Sequence, residues 1–192
     1  MRLSLFFLLT LELSAQGSEL GLLLGRTLPR SRGELDLQSG TALQANFGKR
    51  IWQGPRMAVL AEGHLLASPI REVTTANRRA ARDFASLYLM PGLRLRFGGD
   101  RKITPYVAGG IGYAQYHSSE FLQDGTASPV RDRQHSWGGN FGGGVDVKVL
   151  RWLALRGEVR DFLTPSPRLN TPLTGAQHNV QVSGGLVIRF TR

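Results

Sequence analysis

The sequence contains no cysteine, which excludes disulfide frameworks, Cys-ligated zinc and thiol nucleophiles. Acidic residues are scarce. Fourteen Asp and Glu stand against 24 Lys and Arg, 21 of them Arg, for a formal net charge of +10. That balance points to an anionic partner, whether nucleic acid, lipid head groups or lipopolysaccharide, without choosing among them. Long apolar runs are missing too. The one apolar stretch, residues 3–11 (LSLFFLLTL), falls well short of the about 20 residues that a membrane-spanning helix needs. Glycine is in excess, at 24 of 192 residues against a usual share of ~7%. A chain of this length suits one domain.

The apolar stretch follows a positive start, Met1-Arg2, and precedes small residues at Ser14-Ala15. This is the pattern of a secretory signal peptide over residues 1–16, leaving 17–192 as the exported domain. Beyond residue 17 the hydrophobic period is two, the period of strands. Eight alternating segments are expected at 19–26, 41–49, 56–66, 84–97, 103–117, 135–149, 152–162 and 178–190. In the fourth, Leu87, Leu89, Leu93 and Leu95 share one face, and Tyr88, Met90, Arg94 and Arg96 the other.

A soluble barrel or sandwich would also alternate, so the connections decide. They alternate in length. Long polar ones cover 27–40, 67–83, 118–134 and 163–177, and short ones fall near 53–55, 98–102 and 150–151. Short turns at one end and long loops at the other are the organisation of an all-β, eight-stranded antiparallel up-and-down transmembrane β-barrel in the outer membrane.

The charges agree with that reading. The parity taken as lipid-facing carries no Lys, Arg, Asp or Glu in a strand middle. The inward parity carries Glu19, Glu62, Asp146 and Glu158 with Arg94, Arg96, Lys148, Arg156, Arg160 and Arg189, enough for an interior ion-pair network. Its expected centre is Glu158, between Arg156 and Arg160, with Asp146 as the partner reached across the short turn at 150–151. Aromatic girdles are expected from Trp52, Phe97, Trp152 and Phe190 at the short-turn end, and from Tyr113, Tyr116, Phe121, Trp137 and Phe162 toward the loops. Pro91 sits mid-strand, where a closed barrel has no edge. A bulge at Pro91-Gly92 is therefore expected.

Three stretches carry a family resemblance. Residues 105–113 (PYVAGGIGY), 155–161 (LRGEVRD) and 179–190 (NVQVSGGLVIRF) resemble recurrent strands of the OmpA/OmpX-like small outer-membrane β-barrel family. The resemblance implies the same fold and a terminal aromatic, Phe190, read by the barrel-assembly machinery. The chain departs from the pattern in having Thr191-Arg192 after that aromatic. No peptidoglycan-binding segment follows the last strand, so a tether to the cell wall is not expected.

Chemistry candidates are few. His117 and Ser119 form an H-x-S pair beside Glu120, a conceivable base and nucleophile that loosely resembles lipid A deacylases. His64, His135 and His178 lie on different strands without supporting carboxylate spacing for a metal. The glycine pairs lack the strand–loop–helix setting of phosphate loops. Arg71, Arg78, Arg79 and Arg82 cluster in the second long connection, where they are expected to meet lipopolysaccharide phosphates rather than nucleic acid. The expectation is a monomeric, non-enzymatic protein of the Gram-negative outer membrane, with no cofactor or metal and a structural or surface-interaction role carried by four external loops. A lipid A hydrolase and a narrow small-solute channel are the alternatives. An eight-stranded bore filled by side chains disfavours a general diffusion pore.

Overall fold

A computed structural model describes residues 17–32, 35–75, 81, 83–99, 101–127, 133–165 and 175–190. The expected signal peptide, residues 1–16, lies outside them. The strands are β1 (Ser18–Thr27), β2 (Arg30–Arg32), β3 (Leu35–Leu37), β4 (Gly40–Gln53), β5 (Met57–Thr74), β6 (Asp83–Phe97), β7 (Ile103–Ser118), β8 (Arg133–Lys148), β9 (Leu153–Pro165) and β10 (Ala176–Phe190). β2 and β3 make a small hairpin in the first long connection. The other eight form a ring of antiparallel neighbours. β1 pairs with β4 on one side and β10 on the other, from Ser18 opposite Phe190 to Thr27 opposite Gln181. This seam closes the barrel and leaves no edge strand, which is what a spanning sheet needs where no water can satisfy backbone groups.

Alternation decides which side chains face out. Leu22, Leu43, Leu89, Leu93, Phe141, Val159 and Leu186 are exposed on the outer wall, and Ile111 is 72% exposed. A contiguous apolar band of this kind belongs against hydrocarbon rather than water. Trp52, Trp152 and Phe190 are exposed at the short-turn end, and Phe121 and Trp137 toward the loops. Tyr116 and Phe162 do not join the outer girdle. They sit at inward positions and are buried in the bore, at 1% and 0% exposure.

Two local features depart from the sequence expectation. β5 runs on to Thr74, beyond the expected end at residue 66. The register against β6 shifts between Ser68 and Arg71, which reverses the parity and hides the continuation from a period-two reading. The β2–β3 hairpin docks on this extension through Asp36 opposite Thr74 and Leu37 opposite Val73.

Pro91 introduces no bulge. The β6–β7 register is the same on both sides of it, from Leu89 opposite Tyr113 to Gly92 opposite Gly110. The facing strand closes in through glycine instead. A Cβ on Gly110 would stand 2.5 Å from the carbonyl oxygen of Pro91, so no larger residue fits there.

The outward parity has a direct test. Leu93→Arg places a cation in the middle of the apolar band, midway between Leu89 and Phe97, and should cost about 2–4 kcal/mol of stability. Urea unfolding in lipid vesicles reads this as a lower midpoint. An unchanged midpoint would put Leu93 in an aqueous interior.

Candidate functional site

The interior has two layers. The layer nearer the short turns is ionic. Arg156 on β9 stands opposite Asp146 on β8 in register. Its Nε and Nη2 donate to the two Asp146 oxygens at 2.7 and 2.9 Å, a bidentate fork. Nη2 also reaches Glu19 Oε1 at 2.7 Å, and Nη1 donates to Asn46 Oδ1 at 3.0 Å. Glu19 is a hub as well, accepting from Arg94 and, at 3.0 Å, from Arg96. Arg94 pairs onward with Glu62, and Glu62 with Arg160 at 2.8 Å. Arg160 reaches Glu158 at 2.8 Å, whose other donor is the Tyr106 hydroxyl at 2.7 Å. Arg189 closes on Asp146 at 2.9 Å.

These residues form one connected network, and every barrel strand contributes: Glu19 from β1, Asn46 from β4, Glu62 from β5, Arg94 and Arg96 from β6, Tyr106 from β7, Asp146 from β8, Arg156 and its neighbours from β9, and Arg189 from β10. Tyr106 lies under two cations, with Arg94 at 4.6 Å and Arg156 at 5.0 Å from its ring centre. Gly144 makes room for that ring, since a Cβ there would stand 2.6 Å from the Tyr106 hydroxyl.

The expected network residues Glu62, Arg94, Arg96, Asp146, Arg156, Glu158, Arg160 and Arg189 are thus brought together. Lys148 lies at the last position of β8, half-buried. The centre differs from the expectation. Arg156 turns away from Glu158 to Asp146 and Glu19, and Glu158 serves Arg160 and Tyr106 instead. Strand spacing places Arg156, Glu158 and Arg160 on one face, but it does not say which guanidinium reaches across the bore. The hub role of Glu19 on the first strand had no sequence signal beyond its inward parity.

The layer nearer the loops is aromatic and apolar on the β5–β9 side, and polar on the β1, β4 and β10 side, where Gln44, Gln181 and Thr27 are buried and hydrogen-bonded to one another. Leu66, Phe84, Tyr88, Met90, Tyr116 and Phe162 pack together, and Leu37, Val73 and Ala81 continue the cluster into the connections. Tyr88 and Tyr116 meet edge-on with ring centres 5.9 Å apart, and the Tyr88 hydroxyl donates to that of Tyr116 at 3.2 Å. Leu122, from the connection after β7, is also buried at this end.

Arg71, expected on a loop at lipopolysaccharide phosphates, is instead a buried residue of β5, 4% exposed. Its guanidinium donates to Gln38 O at 2.9 Å, Leu28 O at 3.1 Å and Asn179 Oδ1 at 2.8 Å. It clasps the first long connection to the last strand. The parity reversal after Ser68 turns it inward. Arg78, Arg79 and Arg82 lie outside the described residues.

The remaining candidates separate. His117 is exposed on the outer wall at the top of β7, and no hydrogen bond joins it to Ser119. Ser119 Oγ accepts from the Phe121 amide at 3.2 Å instead. His64 is buried in the bore, against Phe162 at 5.5 Å between ring centres. His135 and His178 lie at outward positions, where His178 pairs with Asp161 at 2.6 Å. The three histidines do not converge. Phe190 ends β10, opposite Ser18 at the seam.

No protein-family model matches the chain, and no curated protein matches it in sequence. Solved structures match along nearly the whole length. The outer membrane protein OprG from Pseudomonas aeruginosa aligns at a TM-score of 0.58 and 16% identity, over 93% of this chain and 98% of that one. The N-terminal β-barrel domain of Pseudomonas aeruginosa OprF gives 0.55 and 11%, over 90% and 97%. Neisserial surface protein A gives 0.54 and 11%, over 90% and 96%. The fold is that of the small eight-stranded outer-membrane barrels. At these identities the likeness is one of architecture, and it leaves the role of this barrel to its own residues.

The ionic layer predicts a ranking. Asp146 holds two arginines in the barrel interior, so Asp146→Asn should cost about 3–5 kcal/mol. Glu158→Gln should cost less, since Glu158 holds one arginine and a hydroxyl. Asp124→Asn, on an exposed turn, should cost under about 1 kcal/mol. Urea midpoints of the three variants in one lipid decide it. The reverse order for Asp146 and Glu158 would contradict the assigned hub.

Proposed function

We propose that this barrel is a surface protein of the Gram-negative outer membrane, exported through residues 1–16. Its role is structural or one of surface interaction, and its four external connections carry the recognition. The observation that carries this reading is the filled bore. The ionic layer and the aromatic layer occupy the interior in series, from Arg189 and Arg96 at the short-turn end to Leu37 and Leu122 under the loops. A bore closed in this way offers no aqueous path, which argues against the channel alternative. The absence of a His117–Ser119 contact gives the hydrolase alternative no geometric support. What is left for function is the surface.

The partners that fit are outer-membrane lipid and lipopolysaccharide, with Arg78, Arg79 and Arg82 as loop contacts, and the barrel-assembly machinery, with Phe190 as the residue it reads. The barrel acts as a monomer and needs no cofactor.

Outer-membrane fractionation followed by gels of heated and unheated samples tests the placement. A heat-modifiable band in the outer-membrane fraction is the expected result, and a soluble periplasmic species would contradict it. Planar-bilayer recording of the refolded protein should show no steady conductance, whereas stable unitary steps would favour the channel. Phe190→Ala should lower the folded fraction in the outer membrane several-fold while leaving export intact. Equal membrane yield would remove the assembly role from Phe190.

A further inference from the structure

On the outer wall, the outward residues of β7 and β8 form a ladder that changes character with height. From the barrel middle toward the loops, Ile111 faces Gly139, Tyr113 faces Trp137, Gln115 faces His135, and His117 faces Arg133. Trp137 is 75% exposed, and the Tyr113 hydroxyl is bonded to the His135 ring. Trp and Tyr rings on a barrel wall mark the boundary between hydrocarbon and head groups. The two rungs above them therefore stand at head-group height.

A groove of about 450 Å³ opens beside these rungs. Its floor is small and apolar, from Ala67, Pro69, Ala85 and Leu87 on β5 and β6, and its rim is basic, from His117 and Arg133. Ala85 lies opposite His117 in register, so floor and rim adjoin on one sheet surface. His117 and Arg133 are both exposed. Among the described residues no carboxylate pairs with either of them. An anion lying between two such groups can accept hydrogen bonds from both.

We propose that this outer-wall groove binds one phosphorylated, acylated glycolipid of the outer leaflet, of the lipid A class. The sugar head lies on the alanine floor, and its acyl chains run down the apolar wall past Leu89. A phosphate takes the Arg133 guanidinium as a charge-assisted donor, and the His117 ring and the Gln115 amide supply further donors. The site rests on the outer-membrane reading above. It is distinct from the loop arginines, because it lies on the barrel wall where lipid already stands.

The test uses refolded full-length barrel in detergent, with native mass spectrometry as the readout. The probes are lipid A with both phosphates, the same lipid dephosphorylated, and inorganic phosphate. The wild type should retain one bisphosphorylated lipid A and bind the dephosphorylated lipid and inorganic phosphate at least about tenfold more weakly. The His117→Gln/Arg133→Gln double variant and the groove-filling Ala85→Trp should each lose at least about tenfold in lipid A occupancy. Arg26→Gln, at a side chain bonded to Ser39 elsewhere on the outer wall, should bind as the wild type does. Equal occupancy in the wild type and in both groove variants would overturn the site, as would equal binding of the dephosphorylated lipid. Heat-modifiability of every sample is read in parallel. A wild type without a mobility shift would sink the barrel reading itself, whereas shifted variants that keep the wild-type lipid A occupancy would sink only the groove.

Discussion

One connected network touches all eight barrel strands, six through ion pairs and β4 and β7 through the hydrogen bonds of Asn46 and Tyr106, and the rest of the structure is arranged around it. Four carboxylates, Glu19, Glu62, Asp146 and Glu158, meet five arginines, Arg94, Arg96, Arg156, Arg160 and Arg189, inside a ring of hydrogen-bonded strands. Charges in such a place are costly unless each finds a partner of good geometry. The bidentate Asp146–Arg156 fork and the shared acceptors of Glu19 meet that requirement across the bore. Because the partners come from every strand, the network also specifies register. A slip of one residue would turn its strand's charges toward lipid.

The division of labour follows from this interior. The charged residues that a lipid face cannot hold are gathered at the short-turn end, and the aromatic residues that fill volume are gathered under the loops. Arg71 seals the upper layer by tying Leu28 and Gln38 to Asn179. Together the two layers occupy the bore from Arg189 and Arg96 up to Leu37 and Leu122.

The barrel was legible in the sequence because a two-sided sheet between lipid and a polar interior imposes strict alternation. Segments such as 84–97 and 178–190 show it without interruption. Legibility failed where local geometry breaks parity. Pro69 and the register shift before Arg71 end the alternation of β5 early, so the strand looked shorter than it is and Arg71 looked like a loop cation. Height alone assigns Tyr116 and Phe162 to a girdle, although even-numbered positions on β7 and β9 point inward. Pro91 alone predicts a bulge, but Gly110 on the facing strand approaches it closely and the register holds. The membership of the charge network followed from parity. Its hub did not, because long guanidinium side chains choose partners across the bore that no linear spacing encodes. Glu19 and Arg156 lie 137 positions apart in the chain.

The closing seam between β1 and β10 is the most direct thing to measure. The chain has no cysteine, so Leu22→Cys and Leu186→Cys can each carry a spin label on the outer wall at paired positions. Refolded in lipid, the closed barrel predicts labels on adjacent strands, whose backbones lie about 5 Å apart. An open eight-stranded sheet would hold those two edges about 34 Å apart, from seven strand spacings of about 4.8 Å. A short distance distribution, confined to the range of neighbouring strands, is the predicted result. A distribution centred near the open-sheet separation would contradict the closed barrel and every inward and outward assignment built on it.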